Sequence, residues 1–214
     1  MSVHPTSRGR QRRETLLREA TDLFIENGYA NTSLDDIIDR SGGSRATIYS
    51  AFGGKEGLLQ AVIGRFTDEF QEHLDAVDFD HKPLEQGLQL IGREFLQMIL
   101  SPIALGMFRV IVAEAPRLPE VGRAYYQSGV ARIQDRLCRY LIARSTAGEM
   151  CLENPQLATA QFLAMLKADL QIGALMGPCC EPTEEQIEAS VAMAVGIFVH
   201  GCVGPVNAPA DSRK

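Results

Sequence analysis

Apolar residues recur along this chain mainly three and four positions apart, which is the spacing of one face of an α-helix. No stretch alternates apolar and polar residues for long enough to predict a β-strand. Glycines, prolines and residues typical of helix caps divide the pattern into segments. We therefore predict an all-α protein of about nine helices. The predicted helices begin at or near Gln11, Leu34, Arg45, Lys55, Pro83, Pro102, Val121, Pro155 and Glu184.

The segment from Thr32 to Ser41 has the pattern of a short amphipathic helix. Leu34, Ile37 and Ile38 fall on one face. Thr32 or Ser33 can cap the start of this helix by accepting a hydrogen bond from a free backbone N–H group. Gly42 and Gly43 follow, and glycine is common where a helix ends because it tolerates a left-handed backbone. We predict a helix that ends in a tight glycine turn.

A second helix of about two turns is predicted directly after this turn. Ser44 is its expected cap, and Ile48 and Phe52 lie four positions apart and are expected to face the core. The residues left to face outward are Arg45, Ala46, Thr47 and Tyr49. Two short helices joined by a glycine turn have the arrangement of a helix-turn-helix, whose second helix enters the major groove of DNA.

These residues also carry a family resemblance. The segment from about Arg13 to Leu59 resembles the DNA-binding signature of the tetracycline-repressor (TetR) family, and the resemblance implies a dimeric transcriptional regulator with an all-helical ligand-sensing domain. The run FRVIVAEAPRLPE further resembles the sensor domains of an AefR-like subgroup. The matching residues of the signature are Gly28, Tyr29, Thr32, Ser33, Ile37, Gly42, Ser44, Thr47, Ile48, Tyr49, Phe52, Lys55 and Glu56.

The residues predicted to contact DNA lie within this signature. Arg45 is the best candidate for reading a base, because a guanidinium can donate two hydrogen bonds to guanine; the alternative is an arginine bound to phosphate. Lys55 begins the next helix, where backbone N–H groups also favour an anion. Ser44 has the alternative role of a helix cap only, and Tyr49 that of a half-buried core residue. The full predicted set is Thr32, Ser33, Ser44, Arg45, Ala46, Thr47, Tyr49 and Lys55.

Charge is distributed unevenly between the two parts of the chain. The 214 residues carry a net charge of −6, yet residues 1–55 hold eight Lys/Arg and seven Asp/Glu, whereas residues 56–214 hold thirteen and twenty. This distribution suits a head that approaches phosphate and a body that does not. The arginine cluster at positions 8, 10, 12 and 13 is either a solvated tail or an N-terminal arm that contacts DNA.

We predict three parts of the chain: residues 1–54 form the arm and helix-turn-helix, residues 55–205 form a helical ligand-binding and dimerisation domain, and residues 206–214 form a frayed tail. The last two helices are more apolar than a monomer is expected to leave uncovered, which favours a two-fold four-helix bundle over packing within one chain alone. The predicted dimer-interface residues are Phe162, Leu166, Val191, Val195, Phe198 and Val199.

The body is also the predicted site of an effector. Methionines suit an adaptable apolar pocket, so we expect a small, largely apolar ligand; ordinary core packing is the alternative for each residue. The predicted lining residues are Phe95, Met98, Met107, Phe108, Ile111, Tyr126 and Met165. Glu114, Arg109, Tyr125 and Gln171 are polar groups that could orient the ligand.

Five cysteines, an odd number without the spacing of a disulfide scaffold, favour reduced thiols and a cytoplasmic protein. Residues 189–210 lack charged side chains, but glycine and proline interrupt the run too often for a membrane span. No motif of an enzyme, a metal site or a cofactor is present, so neither catalysis nor a cofactor is expected.

The sequence therefore predicts a homodimeric regulator that binds a double-stranded DNA operator, most simply a repressor that a small-molecule effector releases. Two alternatives remain open. The first is a thiol- or metal-responsive regulator that uses Cys179 and Cys180. The second is a helical small-molecule-binding protein that has lost DNA binding.

Overall fold

The computed structural model describes residues 7–177 and 181–202, which contain helices and connecting turns but no strand. The prediction of an all-α protein is confirmed. The helices are α1 (Ser7–Asn27), α2 (Leu34–Ser41), α3 (Arg45–Phe52), α4 (Lys55–Ala76), α5 (Leu84–Ile99), α6 (Pro102–Glu114), α7 (Pro119–Tyr125), a π-helical segment (Tyr126–Val130), α8 (Ala131–Thr146), α9 (Pro155–Lys167), α10 (Leu170–Met176) and α11 (Glu184–Cys202).

Two predicted helices are divided in the structure. The π-helical segment Tyr126–Val130 separates α7 from α8 within the predicted long helix that begins near Val121. Ala168 has a positive φ of 39° and ends α9, so that α10 begins only at Leu170. Neither interruption contains a proline, and the apolar spacing gives no signal for either.

The residues fall into two compact units. The first contains the described residues up to Glu72 together with Ser101–Ala131. In its core, α1, α2, α3, α4, α6 and α7 contribute one cluster of buried side chains. Its fully buried members include Leu17, Phe24, Ile37, Ile48, Leu58, Leu59 and Met107. The helix-turn-helix segment therefore has a hydrophobic support that extends well beyond its own two helices.

The second unit contains His73–Leu100 and the described residues from Arg132 onward. Helix α11 packs against α5 and α9 in this unit. The rings of Phe162 and Phe198 lie 5.0 Å apart, and Gly92 has no side chain, which leaves room for Leu166 and Val191. The starts of α9 and α11 are capped by side chains, since Asn154 accepts a hydrogen bond from Leu157 N and Thr183 forms a capping box with Gln186.

The predicted boundary at residue 54, between DNA-binding head and ligand-binding body, stays a prediction. The predicted frayed tail, residues 206–214, lies outside the described residues. Among the described helices, none is by itself long and apolar enough to cross a membrane; α5 and α6 reach the required length only if they are taken together as one bent segment.

Candidate nucleic-acid interface

Helix α2 begins with a reciprocal cap. Ser33 Oγ accepts a hydrogen bond from Asp36 N at 3.1 Å, and Asp36 Oδ2 accepts one from Ser33 N at 2.7 Å. The hydrogen bond from Ser33 N is the main reason that the pKa of the Asp36 carboxyl is lowered, because it stabilises the charged form. Gly42 ends the helix with a φ of 68° and donates to Ile38 O. Of the two predicted caps, Ser33 is therefore the one that the structure uses.

Helix α3 is fixed at both ends and along its inner side. Ser44 is its N-cap and accepts a hydrogen bond from Thr47 N at 3.2 Å. Gly53 ends it in the left-handed conformation with a φ of 78°. Ile48 is fully buried, whereas Phe52 is half-buried and packs beneath the guanidinium of Arg13, 5.2 Å from the ring centre. This leaves little freedom for α3 to rotate on its support.

The outer side of α3 presents most of the residues predicted to contact DNA. Ser44, Arg45, Ala46 and Tyr49 are exposed, and Thr47 is half-buried with its hydroxyl 3.0 Å from that of Ser44. Tyr49 is 57% exposed, so the structure does not place it in the core. Ser33 is also exposed at the start of α2.

Arg45 is paired with a carboxylate that the sequence did not single out. Its Nε donates to Asp35 Oδ1 at 2.9 Å, and its Nη2 donates to Asp35 Oδ2. The pair lowers the pKa of Asp35 and raises that of Arg45. Asp35 lies beside Leu34 on the first turn of α2, ten residues before Arg45, and only the packing of α2 against α3 brings them together.

Thr32 faces inward, which differs from its predicted place in the interface. Its side chain is only 1% exposed, and its hydroxyl lies 2.9 Å from Gly28 O and 3.1 Å from Leu23 O. The first of these carbonyls belongs to the turn after α1 and the second to α1 itself, whereas Thr32 lies directly before the N-cap of α2. The structure thus gives the Thr32 side chain a role in joining α1 to α2.

Lys55 is the first residue of α4, and its ammonium is already engaged by the protein. The Nζ atom lies 4.2 Å from the centre of the Tyr29 ring and donates to Ala30 O at 3.5 Å. Burial is the main reason that the pKa of Lys55 is lowered. The Lys55 ammonium is therefore partly desolvated and already oriented before any contact with phosphate.

Gly53 and Gly54 form the turn between α3 and α4. Gly54 has a φ of 123°, and a Cβ atom there would lie 3.3 Å from the ring of Tyr49. The structure gives Gly54 a backbone conformation that residues other than glycine rarely adopt.

Arginine positions near the start of the chain lie on α1 rather than on an extended arm. Helix α1 begins at Ser7, so Arg10, Arg12 and Arg13 are helical and exposed. This differs from the predicted start at Gln11. The side chain of the arginine at position 8 is not among the side chains that the structure describes.

The residues predicted to line a ligand pocket are spread over both units. In the first unit, Met107 and Ile111 are core residues, the ring of Phe108 lies 6.0 Å from that of Tyr125, and Tyr126 is exposed. In the second unit, Phe95 is buried, and Met98 and Met165 are half-buried. The assignment of these seven residues to one pocket stays a prediction.

The predicted dimer-interface residues are mostly internal to the second unit. Phe162, Leu166, Val191, Val195 and Phe198 are buried by the chain itself, and Val199 is half-buried. The opposite side of α11 is the uncovered one: Met193 is 65% and Ile197 is 55% exposed, with Ala189, Ala192, Gly196 and His200 beside them. We call these six residues the outer face of α11.

Cys179 and Cys180, the pair considered for metal or redox sensing, lie outside the described residues. Cys138 is a buried free thiol and Cys151 an exposed one. Within residues 7–177 and 181–202, no group of three or more His, Cys, Asp or Glu side chains has the arrangement of a metal site.

A capped recognition helix that follows α2 across Gly42 and Gly43, with its outer side exposed, defines a helix-turn-helix DNA-binding protein. Comparison with known proteins identifies the group. The family model "Bacterial regulatory proteins, tetR family" matches residues 16–62, and the model "AefR-like transcriptional repressor, C-terminal domain" matches residues 86–201. The chain belongs to the TetR family of transcriptional regulators, whose members are not enzymes.

Individual relatives agree with this assignment. The chain is 38% identical over 182 residues to the HTH-type transcriptional repressor ComR of Escherichia coli K12, which covers 82% of this chain and 86% of that protein. A Mesorhizobium loti MAFF303099 structure assigned to the TetR family aligns with a TM-score of 0.82 at 24% identity, over 93% of this chain and all of the other. The structure of the flavonoid-responsive regulator FrrA aligns with a TM-score of 0.74 at 26% identity, over 92% and 99%.

Proposed function

We propose that this DNA-binding regulator is a dimeric repressor that recognises an operator through the outer side of α3. The exposed side chains of Arg45, Ala46 and Tyr49, on a helix fixed by Ser44 and Ile48, are the observation that carries the proposal. Arg45 is the base-reading residue, since a guanidinium discriminates guanine by two hydrogen bonds. Ser33, Ser44, Thr47 and Lys55 bind the phosphate backbone beside it.

The proposed partner of the outer face of α11 is a second copy of the chain. This face is apolar and carries no acidic or basic side chain other than His200, and exposed apolar patches of this kind mark interaction sites. A two-fold pair of chains holds two α3 helices, one for each half-site of an operator. Half-sites are then expected about one helical turn apart, roughly 34–36 Å.

The proposed signal is a small, largely apolar molecule that binds the helical body and favours a form unable to hold both half-sites. The name of FrrA describes that relative as flavonoid-responsive, which supports an effector of this type here. For a nearly complete release, the effector must bind the released form on the order of 10⁴-fold more tightly than the DNA-bound form.

The test is a titration of the purified protein against the duplex flanking its own gene and against a scrambled duplex of equal length. We expect the wild type to prefer the flanking duplex. Arg45→Ala should remove most of this preference while it leaves binding to the scrambled duplex nearly unchanged. The matched control is Arg139→Ala, which removes the same charge from an exposed position on α8 and should preserve the preference.

Equal affinity of the wild type for the two duplexes would contradict sequence-specific recognition. Absence of binding to either duplex, in protein with a normal circular dichroism spectrum, would favour the alternative of a small-molecule-binding protein without DNA binding. Equal losses on both duplexes in Arg45→Ala would assign Arg45 to the phosphate backbone.

A further inference from the structure

Asp35 and Arg45 form a two-point contact across the helix-turn-helix. The carboxylate accepts from Nε and from Nη2, which lie along one edge of the planar guanidinium. A guanidinium has five N–H donors, so this edge uses only part of them. The Nη1 group and the second N–H of Nη2 form the far end of the fork, and they take no part in these two bonds.

We propose that Asp35 is a positioning residue that holds Arg45 for base recognition. The inference rests on the proposed function, because it gives a role to Asp35 only if Arg45 reads a base. An arginine side chain has many rotamers, and fixing them at the moment of binding costs conformational entropy. A carboxylate that already binds one edge of the guanidinium removes part of this cost and leaves the far end free to meet the two acceptors of guanine.

The location of Asp35 supports a role directed at Arg45. The reciprocal cap of α2 is made by Ser33 and Asp36, so Asp35 is not required to cap this helix. Both partners are largely exposed, with side-chain exposures of 59% for Asp35 and 61% for Arg45. An exposed ion pair contributes little to the stability of a fold. The pair therefore contributes more to the placement of the Arg45 side chain than to the stability of the fold.

Charge repulsion and a positioning role predict different effects on DNA binding when Asp35 is removed. Asp35 lies beside the proposed DNA-binding side of α3, and a carboxylate there repels phosphate. Removal of this charge should therefore strengthen binding to every duplex. If Asp35 positions Arg45, its removal should instead lower the ratio of affinities for operator and scrambled DNA. This ratio separates the two effects.

The experiment uses the duplex that wild-type protein selects from a randomised library, together with a scrambled version of that duplex. Affinities are measured for the wild type, Asp35→Ala, Arg45→Ala and the double variant, all as full-length protein. We expect Asp35→Ala to lower the affinity ratio by about three- to tenfold, part of the discrimination that one two-point contact to guanine provides. In the Arg45→Ala background, removal of Asp35 should leave the ratio unchanged.

Two further variants complete the design. Asp39→Ala removes the same charge from another exposed position on α2, and it should raise the affinity for both duplexes together without changing the ratio. Asp35→Glu keeps the charge and both acceptors, and it should recover part of the ratio lost in Asp35→Ala. Thermal unfolding of each variant checks that the helix-turn-helix is intact.

An unchanged or increased ratio in Asp35→Ala overturns the inference, as does an equal loss in the presence and absence of Arg45. These outcomes leave the proposed function standing, provided that Arg45→Ala still loses the preference. Failure of the wild type to select any duplex would instead contradict the proposed function itself.

Discussion

A Cβ atom on Gly57 would lie 1.7 Å from the carbonyl oxygen of Phe52, the last residue of α3. The backbone of α4 therefore passes too close to the end of the recognition helix to admit any side chain at this position. Since the obstructing atom is backbone rather than a movable side chain, an alanine requires α3 and α4 to separate.

Gly57→Ala should therefore destabilise the first unit by about 3 kcal/mol or prevent it from folding, at the upper end of overpacking effects. The measurement is urea unfolding followed by circular dichroism. Gly64→Ala is the matched control, since it lies in the same helix with nothing within 4 Å of the added atom. It should raise the free energy of unfolding by up to about 1 kcal/mol. Equal stability of the two variants would contradict the close approach.

Thr32→Val tests whether Thr32 serves the fold rather than the DNA. Valine keeps the shape but removes the hydroxyl that lies beside Gly28 O and Leu23 O, so we expect the free energy of unfolding to fall by about 1–2 kcal/mol. Thr15→Val, on the more accessible side of α1, should change it far less. If Thr32→Val bound DNA more weakly at unchanged stability, Thr32 would instead belong to the DNA interface.

Lys55→Gln should lower the dependence of DNA affinity on salt. A lysine that binds one phosphate releases about one counterion, so the slope of log affinity against log salt should become shallower by about 1. The affinity is measured on operator DNA at several salt concentrations. Lys167→Gln, at the end of α9, should leave the slope unchanged. An unchanged slope for Lys55→Gln would limit Lys55 to its contacts with Tyr29 and Ala30.

Ile197→Glu should convert the proposed dimer to a monomer. Ile197 is 55% exposed on the outer face of α11, and a charge there would be buried without a partner in the proposed dimer. Sedimentation should show the mass of one chain for this variant and of two chains for the wild type. Val112→Glu replaces an equally exposed apolar residue on α6 and should remain dimeric. Dissociation of both variants would argue against a specific role for α11.

Arg40→Gln should change stability in a pH-dependent way. Arg40 donates to both oxygens of Glu26, at 2.7 and 3.1 Å, and this lowers the pKa of Glu26 below its ordinary value of 4.5. Because the folded pKa is the lower one, the stabilisation is fully present above about pH 4.5 and disappears as the pH falls through the folded pKa.

Wild type should therefore unfold at a higher temperature than Arg40→Gln at pH 7, and the difference between the two melting temperatures should shrink as the pH falls below about 4.5. Arg139→Gln corrects for the change in net charge. A difference that is constant between pH 7 and pH 3 would show that the pair with Glu26 is not its source.

Local signals predicted much of the helix-turn-helix. Ser33 and Gly42 set the two ends of α2, and Ser44 sets the start of α3; these caps depend on nearby residues, so the sequence is sufficient to place them. The outward side of α3 follows from the four-residue spacing of Ile48 and Phe52. The inward direction of Thr32 was not predictable in the same way, because it depends on the carbonyls at the end of α1.

Contacts between distant positions were the main features that the sequence did not reveal. Asp35 approaches Arg45 only when α2 packs on α3, and apolar spacing carries no information about such a pair. For the last helices, the sequence indicated an excess of apolar surface but not which side of α11 remains uncovered. The packing of α11 against α5 and α9 decides that, since it buries Val191, Val195 and Phe198.

The uncovered side of α11 also has a genetic consequence. If dimerisation depends on this side and base recognition depends on α3, a chain that has lost Arg45 still forms dimers with normal chains. The mixed pairs would hold only one working recognition helix. A cell that carries both alleles should then lose more than half of its repression, so that the defective allele acts dominantly.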